Sequence, residues 1–331
     1  MSHLIMTSSF AVLSTRKKAS EVHSKLKEDG LLVSTLKPMQ HGEKIAFPVV
    51  EGTLELDFEM IQVINPHVKL AKILDNPPKK WEMLGDLVVF PENTFTGDES
   101  YDWHAVAKAV GGKRLAIQSE VSPGMMRQSK LQLLFGNDGW VIHKENFVDY
   151  EFNATKVMFS SGNVTERCRM GQLNLDDEIV IDAYCGIGYY TIPMLVNGGA
   201  KLVHACEINP DSIDGLKKGL LRNNVDKRCI IYQGDNCETL QNLCGIADRV
   251  VLGLIPSSEP TWKLAVDCLK PEGGIIHVHM NVDERKIDQW VEETLDWFSK
   301  TSGKKATALH LEKVKWYCPH IRHIVLDISI N

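Results

Sequence analysis

The stretch EIVIDAYCGIG, residues 178–188, decides the fold class of this chain. An apolar, strand-like run leads directly into a turn that contains Gly186 and Gly188. In an open parallel sheet, a nucleotide comes close to the backbone at the turn after the first strand. Because a Cβ atom at either glycine would fill that space, we expect both glycines to lie at a ligand site.

Strand-like runs recur after this turn and alternate with helical patterns. The pair Asn209-Pro210 predicts the start of a helix, since Asn caps helices and Pro suits their first turn. The alternation predicts an α/β fold with a doubly wound, mostly parallel, Rossmann-like sheet that binds its ligand at the carboxyl ends of the strands. The further predicted strands are KLVHACEINP (201–210), RCIIYQGDN (228–236), DRVVLGLIPS (248–257), GGIIHVHMNV (273–282) and HIVLDISI (323–330), the last of them antiparallel.

Acidic side chains end the first three of these strands. Asp182 ends the first, so its carboxylate is expected to face the charged end of a cofactor. Glu207 ends the second, where a carboxylate can accept both ribose hydroxyl hydrogens. Asp235 and Asn236 end the third and suit an adenine amine and its polar neighbours. Acids at three successive strand ends are a more specific signal than one glycine turn.

A nicotinamide dinucleotide is the competing ligand, because its fold also places an acid after the second strand. The dinucleotide fingerprint requires a third glycine three residues beyond the second, and here that position is Thr191. S-adenosylmethionine has no phosphates and needs no such close approach. The sequence therefore predicts a class I S-adenosylmethionine-dependent transferase.

Composition limits the other function classes. The 331 residues predict two or three domains, and the formal net charge of −6 gives no general attraction for polyanions, so any nucleic-acid contact requires local basic patches. No apolar run approaches the roughly 20 residues of a membrane span. The eight cysteines are scattered without a CxxC pair, which predicts a reduced, cytoplasmic protein without a metal site.

Changes in the pattern of predicted helices and strands along the chain predict three domains. Residues 1–75 form a small α+β accessory domain, 76–168 a middle α+β domain, and 169–331 the cofactor-binding domain. The first includes an amphipathic helix that ends at Gly30. In the middle domain, Asn137-Asp138-Gly139 joins two apolar runs, which predicts a hairpin over residues 130–152.

Several motifs together resemble the tRNA wybutosine-synthesizing protein 2 family. The resemblance extends from about residue 100 to the end, whereas the first 75 residues match only loosely, in the manner of the related guanosine-37 methyltransferases. The motifs are GNDGWVIHKENFVDYEFNATKVMFSSGN (136–163), FSSGNVTERCRM (159–170), DAYCGIGYYTIP (182–193), HACEINP (204–210), QGDN (233–236), DRVVLGLIPSSE (248–259), GGIIHVHMNV (273–282) and HIVLDI (323–328).

This resemblance implies an enzyme that moves the 3-amino-3-carboxypropyl group of S-adenosylmethionine to carbon 7 of 4-demethylwyosine. The acceptor is position 37 in the anticodon loop of tRNA(Phe), and 5′-methylthioadenosine leaves. The cofactor positions of the family map onto Ser160, Arg167, Glu207, Asp235 and Asn236. Arg167 stands where the family is expected to carry Lys, and its planar fork changes the contact geometry.

The loop LGLIPSSE, residues 252–259, lacks the Asn or Asp expected of a guanosine N1-methyltransferase. Reaction at carbon and transfer of a larger group suit a loop whose Gly253 leaves room and whose Pro256, Ser257 and Ser258 offer backbone and hydroxyl groups. No general base stands out, so we expect catalysis by positioning, with Arg167, Pro256 and Ser257 as the candidate residues.

Other polar residues near the predicted site have no assigned chemistry. His277 and His279 lie on one face of a predicted strand, and packing or contact with the substrate edge is favoured over metal binding. Tyr317 or His320 can reach the rim of the pocket. Two alternatives remain open, namely a tRNA guanosine-37 N1-methyltransferase and a non-catalytic RNA-binding protein with a vestigial cofactor fold. We expect a monomer.

Overall fold

A computed structural model of the chain describes residues 9–33, 38–41, 43–50, 60–63, 65–95, 100–118 and 129–331. These residues fall into two compact units. One lies within residues 1–83, 87–116 and 134–136, and the other within residues 84–86, 117–133 and 137–331. The domain limits expected at residues 75 and 168 remain a prediction.

The first unit contains a small antiparallel sheet with one helix on it. Its central strand β1 pairs with both β3 and β4, and the order is β2-β3-β1-β4. The helix buries Leu26 against this sheet and is followed by Gly30 at a φ of 67°, which confirms the predicted amphipathic helix. The elements are β1 (Ser9–Thr15), α1 (Ala19–Glu28), β2 (Met39–His41), β3 (Lys44–Val49) and β4 (Met60–Val63).

A second four-stranded sheet follows, in the order β5-β6-β7-β8. Its helix α3 begins after Asp102, whose carboxylate accepts a hydrogen bond from the Ala105 N–H at 3.0 Å, and ends at Gly111 with a φ of 80°. The elements are α2 (Pro66–Leu70), β5 (Glu82–Leu84), β6 (Leu87–Phe90), α3 (Trp103–Val110), β7 (Arg114–Ile117) and β8 (Gln132–Phe135).

The prediction of a hairpin through Asn137-Asp138-Gly139 is wrong. Strand β9 (Trp140–Glu145) does not pair with β8 but with β10 (Val148–Asn153), in a separate two-stranded sheet. The turn of that hairpin is Asn146-Phe147, with φ values of 49° and 66°. A type I′ hairpin turn requires positive φ at both of its central residues, and a type II′ turn requires it at the first. Neither Asn137 nor Asp138 has a positive φ, so the favourable residue types there do not close a hairpin.

The large sheet of the second unit has seven strands in the order β13-β12-β11-β14-β15-β17-β16. Strands β11 to β15 run parallel, and β17 is antiparallel to both β15 and β16. This confirms the predicted doubly wound, mostly parallel α/β fold. The elements are α4 (Val164–Gln172), β11 (Ile179–Asp182), α5 (Thr191–Val196), β12 (Leu202–Glu207), α6 (Pro210–Arg222), β13 (Cys229–Gln233), α7 (Asn236–Thr239), β14 (Arg249–Leu252), α8 (Trp262–Cys268), β15 (Gly274–Asp283), α9 (Ile287–Ser302), β16 (Ala306–Cys318) and β17 (Ile321–Ile330).

Strand β16 is the element of this sheet that the sequence pattern did not predict. It lies at the sheet edge, and most of its side chains are exposed or half-buried, so it shows no apolar alternation. Its pairing with β17 skips Leu309, Val314 and Tyr317, each of which is an extra residue on β16. Such bulges redirect side chains and often lie next to functional sites.

The order of the strands determines where a ligand can bind. From β11 the chain proceeds outward to β12 and β13 on one side, and later to β14 and β15 on the other. The carboxyl ends of β11 and its neighbours therefore border the crevice that this topology creates. The buried residues Ile213, Leu216 and Leu220 of α6 pack into the core, as their helical spacing predicted. Within the described residues, no helix is both long and apolar enough to cross a bilayer.

Candidate active site

A cavity of about 760 Å³ lies at the carboxyl ends of the parallel strands in the second unit. Two sets among its lining residues differ in their origin. The first, called the strand-end group, consists of Gly186, Glu207, Asp235 and Asn236. The second, called the outer group, consists of Ser160, Arg167, Lys315, Trp316 and Tyr317.

Glu207 at the end of β12 is held by two backbone groups. One carboxylate oxygen accepts from the Asn209 N–H at 2.7 Å, and the other accepts from the Gly186 N–H at 2.9 Å. Burial raises the pKa of Glu207. Each oxygen retains a second lone pair, so the oriented carboxylate can accept two hydrogen bonds from a ligand.

Asp235 and Asn236 connect the end of β13 to the end of β11. Asp235 caps helix α7 by accepting from the Cys237 N–H at 2.8 Å. Asn236 donates from Nδ2 to the carbonyl oxygen of Ala183 at 3.0 Å. Both residues line the cavity, so the structure brings them together with Glu207.

Asp182 and Gly188 were expected at the ligand but do not line the cavity. Asp182 is completely buried and accepts from Thr191 Oγ1 at 2.8 Å, and burial raises its pKa to about 6. A Cβ at Gly188 would lie 2.7 Å from side-chain atoms of both Ile192 and Leu216. The two residues therefore pack inside the protein and stabilise the turn.

Gly186 does line the cavity, and a side chain there would also meet a neighbouring residue. Its φ is 55°, and a Cβ there would lie 2.6 Å from the ring of Tyr189. The glycine thus makes room for a neighbouring aromatic ring. The Tyr189 hydroxyl in turn donates to the carbonyl oxygen of Met158, which ties the turn to the segment before Ser160.

Arg167 of α4 is only 1% exposed, and its fork is occupied by a carboxylate. Nε and Nη2 donate to the two oxygens of Glu145 at 2.6 and 2.7 Å. Nη1 donates to the carbonyl oxygen of Ser160 at 2.8 Å, and the guanidinium carbon lies 4.6 Å from the centre of the Phe159 ring. The guanidinium consequently fixes the backbone at Ser160.

Lys315 is a cavity residue that the sequence motifs did not reveal. Its ammonium nitrogen donates to Ser160 Oγ at 2.9 Å. The next two residues, Trp316 and Tyr317, also line the cavity although they are 53% and 56% exposed. Tyr317 thus reaches the cavity, as predicted, while His320 does not line it. The sequence signal that could have indicated this part of the cavity is the adjacent aromatic pair Trp316-Tyr317.

The loop after β14 lines the cavity with Gly253, Leu254, Ile255 and Pro256 only. The hydroxyls expected to face a substrate make local hydrogen bonds instead. Ser257 Oγ accepts from the Glu259 N–H at 3.1 Å, and the buried Ser258 Oγ accepts from Trp262 Nε1 at 3.1 Å. Of the loop candidates, Pro256 therefore lies at the cavity and Ser257 does not.

The two histidines of β15 are both buried. His277 Nδ1 lies 2.5 Å from Asp327 Oδ1, and its Nε2 lies 2.8 Å from Arg249 Nη1. His279 Nδ1 lies 3.1 Å from Nε2 of His323, which lines the cavity. His277 thus belongs to a buried network of charges, and His279 contacts two cavity residues, His323 and Tyr190, whose ring centre lies 5.0 Å away.

Comparison with known proteins identifies the family. The TRM5/TYW2 methyltransferase domain matches residues 141–307, and the TYW2 N-terminal domain matches residues 67–139. A tRNA wybutosine-synthesizing protein 2 homolog of Danio rerio is 38% identical over 293 residues, which cover 76% of this chain and 71% of that protein. The chain belongs to the tRNA wybutosine-synthesizing protein 2 family. The resemblance read from the motifs is thereby confirmed.

Other members of the family differ in length and origin. The tRNA wybutosine-synthesizing protein 2/3/4 of Arabidopsis thaliana is 47% identical over 267 residues, and the match covers 78% of this chain but 27% of that protein. The chain thus spans about a quarter of the plant relative. Among solved structures, P. horikoshii TYW2 in complex with MeSAdo is 30% identical, with a TM-score of 0.66 over 79% of this chain and 96% of that one. M. jannaschii TYW2 in complex with AdoMet is 27% identical, with a TM-score of 0.62 over 76% and 99%.

Proposed function

We propose that this chain transfers the 3-amino-3-carboxypropyl group of S-adenosylmethionine to carbon 7 of 4-demethylwyosine-37 in tRNA(Phe), leaving 5′-methylthioadenosine. The main observation behind the proposal is that two kinds of residues line the same cavity. A nucleoside-type strand-end group and a substrate loop without a side-chain proton acceptor both line it. Family membership, and relatives solved with AdoMet and MeSAdo, support the same reading.

The residues fit S-adenosylmethionine as the donor. Glu207 is oriented by two N–H groups and would hold the ribose hydroxyls, while Asp235 and Asn236 would hold the adenine edge. The cavity of about 760 Å³ lies within the range of roughly 300–1,000 Å³ usual for small-molecule sites. When bound, the donor supplies a sulfonium that activates each of its three attached carbons toward displacement.

Positioning by the protein then selects which carbon reacts. A small rotation of a bound reactant changes which carbon lies opposite the nucleophile, and correct alignment is worth many orders of magnitude in rate. The Glu145–Arg167 pair holds Ser160 rigidly at one side of the cavity. Trp316 and Tyr317 offer exposed aromatic surface on which the acceptor base can stack.

The loop over residues 253–256 supports a carbon acceptor over a nitrogen acceptor. An N1-methyltransferase must remove the proton of the guanine nitrogen that attacks, whereas carbon 7 attacks with the π electrons of the ring and loses its hydrogen as a proton after the new carbon–carbon bond has formed. None of the four lining residues has an ionisable side chain. The Ser257 and Ser258 hydroxyls are engaged in local hydrogen bonds. The loop thus forms a wall beside the base, and the proton released from carbon 7 passes to water.

The same proposal includes the partner and the compartment. The substrate is the anticodon loop of tRNA(Phe) at position 37, and the enzyme acts as a cytoplasmic monomer. All eight cysteines are free, which supports a reducing compartment.

Mass spectrometry of the modified nucleoside tests the proposal. The full chain is incubated with S-adenosylmethionine and tRNA(Phe) carrying 4-demethylwyosine. We expect a mass gain equal to one 3-amino-3-carboxypropyl group, with release of methylthioadenosine. A gain of one methyl group on tRNA that carries guanosine-37, with release of S-adenosylhomocysteine, would establish the N1-methyltransferase instead. No change in any nucleoside would favour a non-catalytic RNA-binding protein.

A further inference from the structure

We propose that a second cavity, beside the first, binds the base of the nucleotide that precedes position 37, and that Asn281 selects adenine there. This cavity has a volume of about 340 Å³ and lies at the carboxyl end of β15. Its lining comes from β15, from the first turns of α9 and from Glu259 in the segment after β14. The inference rests on the proposed function in taking the anticodon loop of tRNA(Phe) as the substrate.

A backbone hydrogen bond connects the two cavities. The Asn281 N–H donates to the carbonyl oxygen of Pro256 at 3.0 Å. Pro256 lines the first cavity and Asn281 lines the second. On β17, His323 pairs with Asn281 and also lines the first cavity. A base in the second cavity would therefore lie next to the base that accepts the transferred group, as two successive nucleotides require.

The side-chain amide of Asn281 has no hydrogen-bond partner in the part of the chain that the structure describes, although both Oδ1 and Nδ2 are buried. An unsatisfied buried polar group costs free energy, and a ligand is one explanation for such a group. An amide has an acceptor oxygen and two N–H donors, so a ligand with both a donor and an acceptor would satisfy it. The χ2 torsion of asparagine is broad, and a rotation about it would present the amide to the cavity that Asn281 lines.

The charge of the lining disfavours a phosphate and favours a base. The carboxylates of Glu259 and Glu293 have neutral hydrogen-bond donors, whereas Asp283 pairs with Arg285 at 2.7 Å. Among the described residues that line this cavity, Lys286 is the one cation. Two uncompensated carboxylates repel the RNA backbone, but they accept hydrogen bonds from the exocyclic amine of a base.

Trp290 supplies the aromatic surface of the second cavity. Its side chain is half-buried and packs against the hydrophobic core, and it also lines the cavity. Unpaired RNA bases stack on such rings and form hydrogen bonds through their edges. A base stacked on Trp290 would have its edge available to the Asn281 amide.

Adenine is the base that matches this amide. Asparagine recognises adenine with two hydrogen bonds, in which it donates to N7 and accepts from the N6 amine. Nucleotide 36 is the last of the anticodon and pairs with the first codon base, which is U in both phenylalanine codons, so it is adenosine. Decoding does not fix the nucleotide after position 37. The second cavity therefore fits nucleotide 36 and would add recognition of the anticodon to recognition of base 37.

Anticodon stem-loops that differ in single atoms of base 36 test this assignment. Binding to the full chain is measured by fluorescence anisotropy, with the same nucleotide at position 37 in every probe. The bases compared are adenine, 7-deazaadenine, which lacks N7, and purine, which lacks the amine. For the wild-type chain, we expect the altered bases to weaken binding by about tenfold to a hundredfold. For Asn281→Leu, we expect the adenine probe to bind as weakly as the altered probes.

Three measurements separate recognition from folding. Leucine at position 281 replaces an unsatisfied amide, so the denaturant midpoint of Asn281→Leu should not fall. Asn242→Leu is the matched control, because Asn242 is exposed and lines neither cavity, and it should keep the wild-type preference for adenine. Trp290→Leu should weaken the adenine and 7-deazaadenine probes alike by about tenfold, since stacking does not depend on N7, and should not affect a probe without base 36.

The assignment fails if Asn281→Leu weakens all probes equally or none of them. It also fails if the wild-type chain distinguishes bases at nucleotide 38 but not at nucleotide 36. In either case, mass spectrometry of the tRNA product still reports which group is transferred to position 37. Failure of the second cavity as a base site is therefore distinguishable from failure of the proposed function.

Discussion

The strand-end group and the outer group line the same cavity but are built in different ways. Glu207, Asp235 and Asn236 each stand at the carboxyl end of a parallel strand, within one continuous stretch of alternating strands and helices. The outer group is assembled from distant segments, and Ser160 and Lys315, which are hydrogen-bonded, are 155 residues apart in sequence. The backbone topology places the first group, whereas long-range side-chain contacts place the second.

The two groups also differ in charge and in expected ligand contact. The strand-end group presents carboxylates that suit hydroxyl and amine donors of a nucleoside. The outer group contains two cations, Arg167, which pairs with Glu145, and Lys315, which donates to Ser160 Oγ. Substitutions in the strand-end group should therefore weaken the binding of both S-adenosylmethionine and methylthioadenosine. Substitutions in the outer group should change the affinity for one of the two ligands only, the stability of the fold or the affinity for RNA.

The largest expected effect is the loss of stability in Glu145→Ala. This change leaves the buried Arg167 guanidinium without its partner, which typically costs about 3–5 kcal/mol of unfolding free energy. Denaturant unfolding measures it. Glu151→Ala is the control, because its 3.0 Å pair with Arg222 is partly exposed and should contribute under about 1 kcal/mol. Equal losses in both variants would contradict a special role for the Arg167 pair.

The Glu207→Ala substitution tests the strand-end group. Two ligand hydrogen bonds to a carboxylate are lost, so we expect about a hundredfold weaker binding of S-adenosylmethionine and methylthioadenosine alike. Calorimetry with the same two ligands checks this. An effect on S-adenosylmethionine alone would mean that Glu207 contacts the amino-acid arm and that the two groups do not divide the ligand as described.

Trp316→Ala should affect RNA and neither small ligand. The Arg322 guanidinium carbon lies 3.8 Å from the centre of the Trp316 ring, and the side chain is 53% exposed, so a base can stack on its open surface. Loss of one base–aromatic stack predicts about tenfold weaker binding of an anticodon stem-loop, measured by fluorescence anisotropy. Trp316→Phe should recover most of the affinity. An unchanged affinity for RNA in the alanine variant would remove Trp316 from the substrate surface.

The smallest expected effect is the pH dependence of methylthioadenosine binding. Burial raises the pKa of Glu207, and only the ionised carboxylate accepts hydrogen bonds with both oxygens. Affinity is therefore complete above the raised pKa and is lost as the pH falls through it, so we expect weaker binding at pH 5 than at pH 7. Circular dichroism verifies that the fold survives at pH 5. The Glu207→Gln variant should bind more weakly and show no such slope, and a wild-type profile equally flat would be inconsistent with direct ribose contact.

The sequence by itself determined the parallel sheet and the positions of its strand-end residues. Apolar strands that alternate with helices leave few arrangements, and parallel strands present their carboxyl ends at one edge. Glu207, Asp235 and Asn236 were therefore expected together before any coordinates, and the structure has them at one cavity. Their role toward a cofactor remains a prediction.

Only the tertiary structure decided what completes the cavity and which polar groups face it. Asp182 is hydrogen-bonded to Thr191, and the Ser257 hydroxyl is hydrogen-bonded to the Glu259 N–H. The hairpin turn lies at Asn146-Phe147. The tertiary structure also joins Lys315 to Ser160. Local patterns report the direction of a strand and its end, but the pairing of two distant side chains depends on strand order, bulges and packing, which no short motif contains.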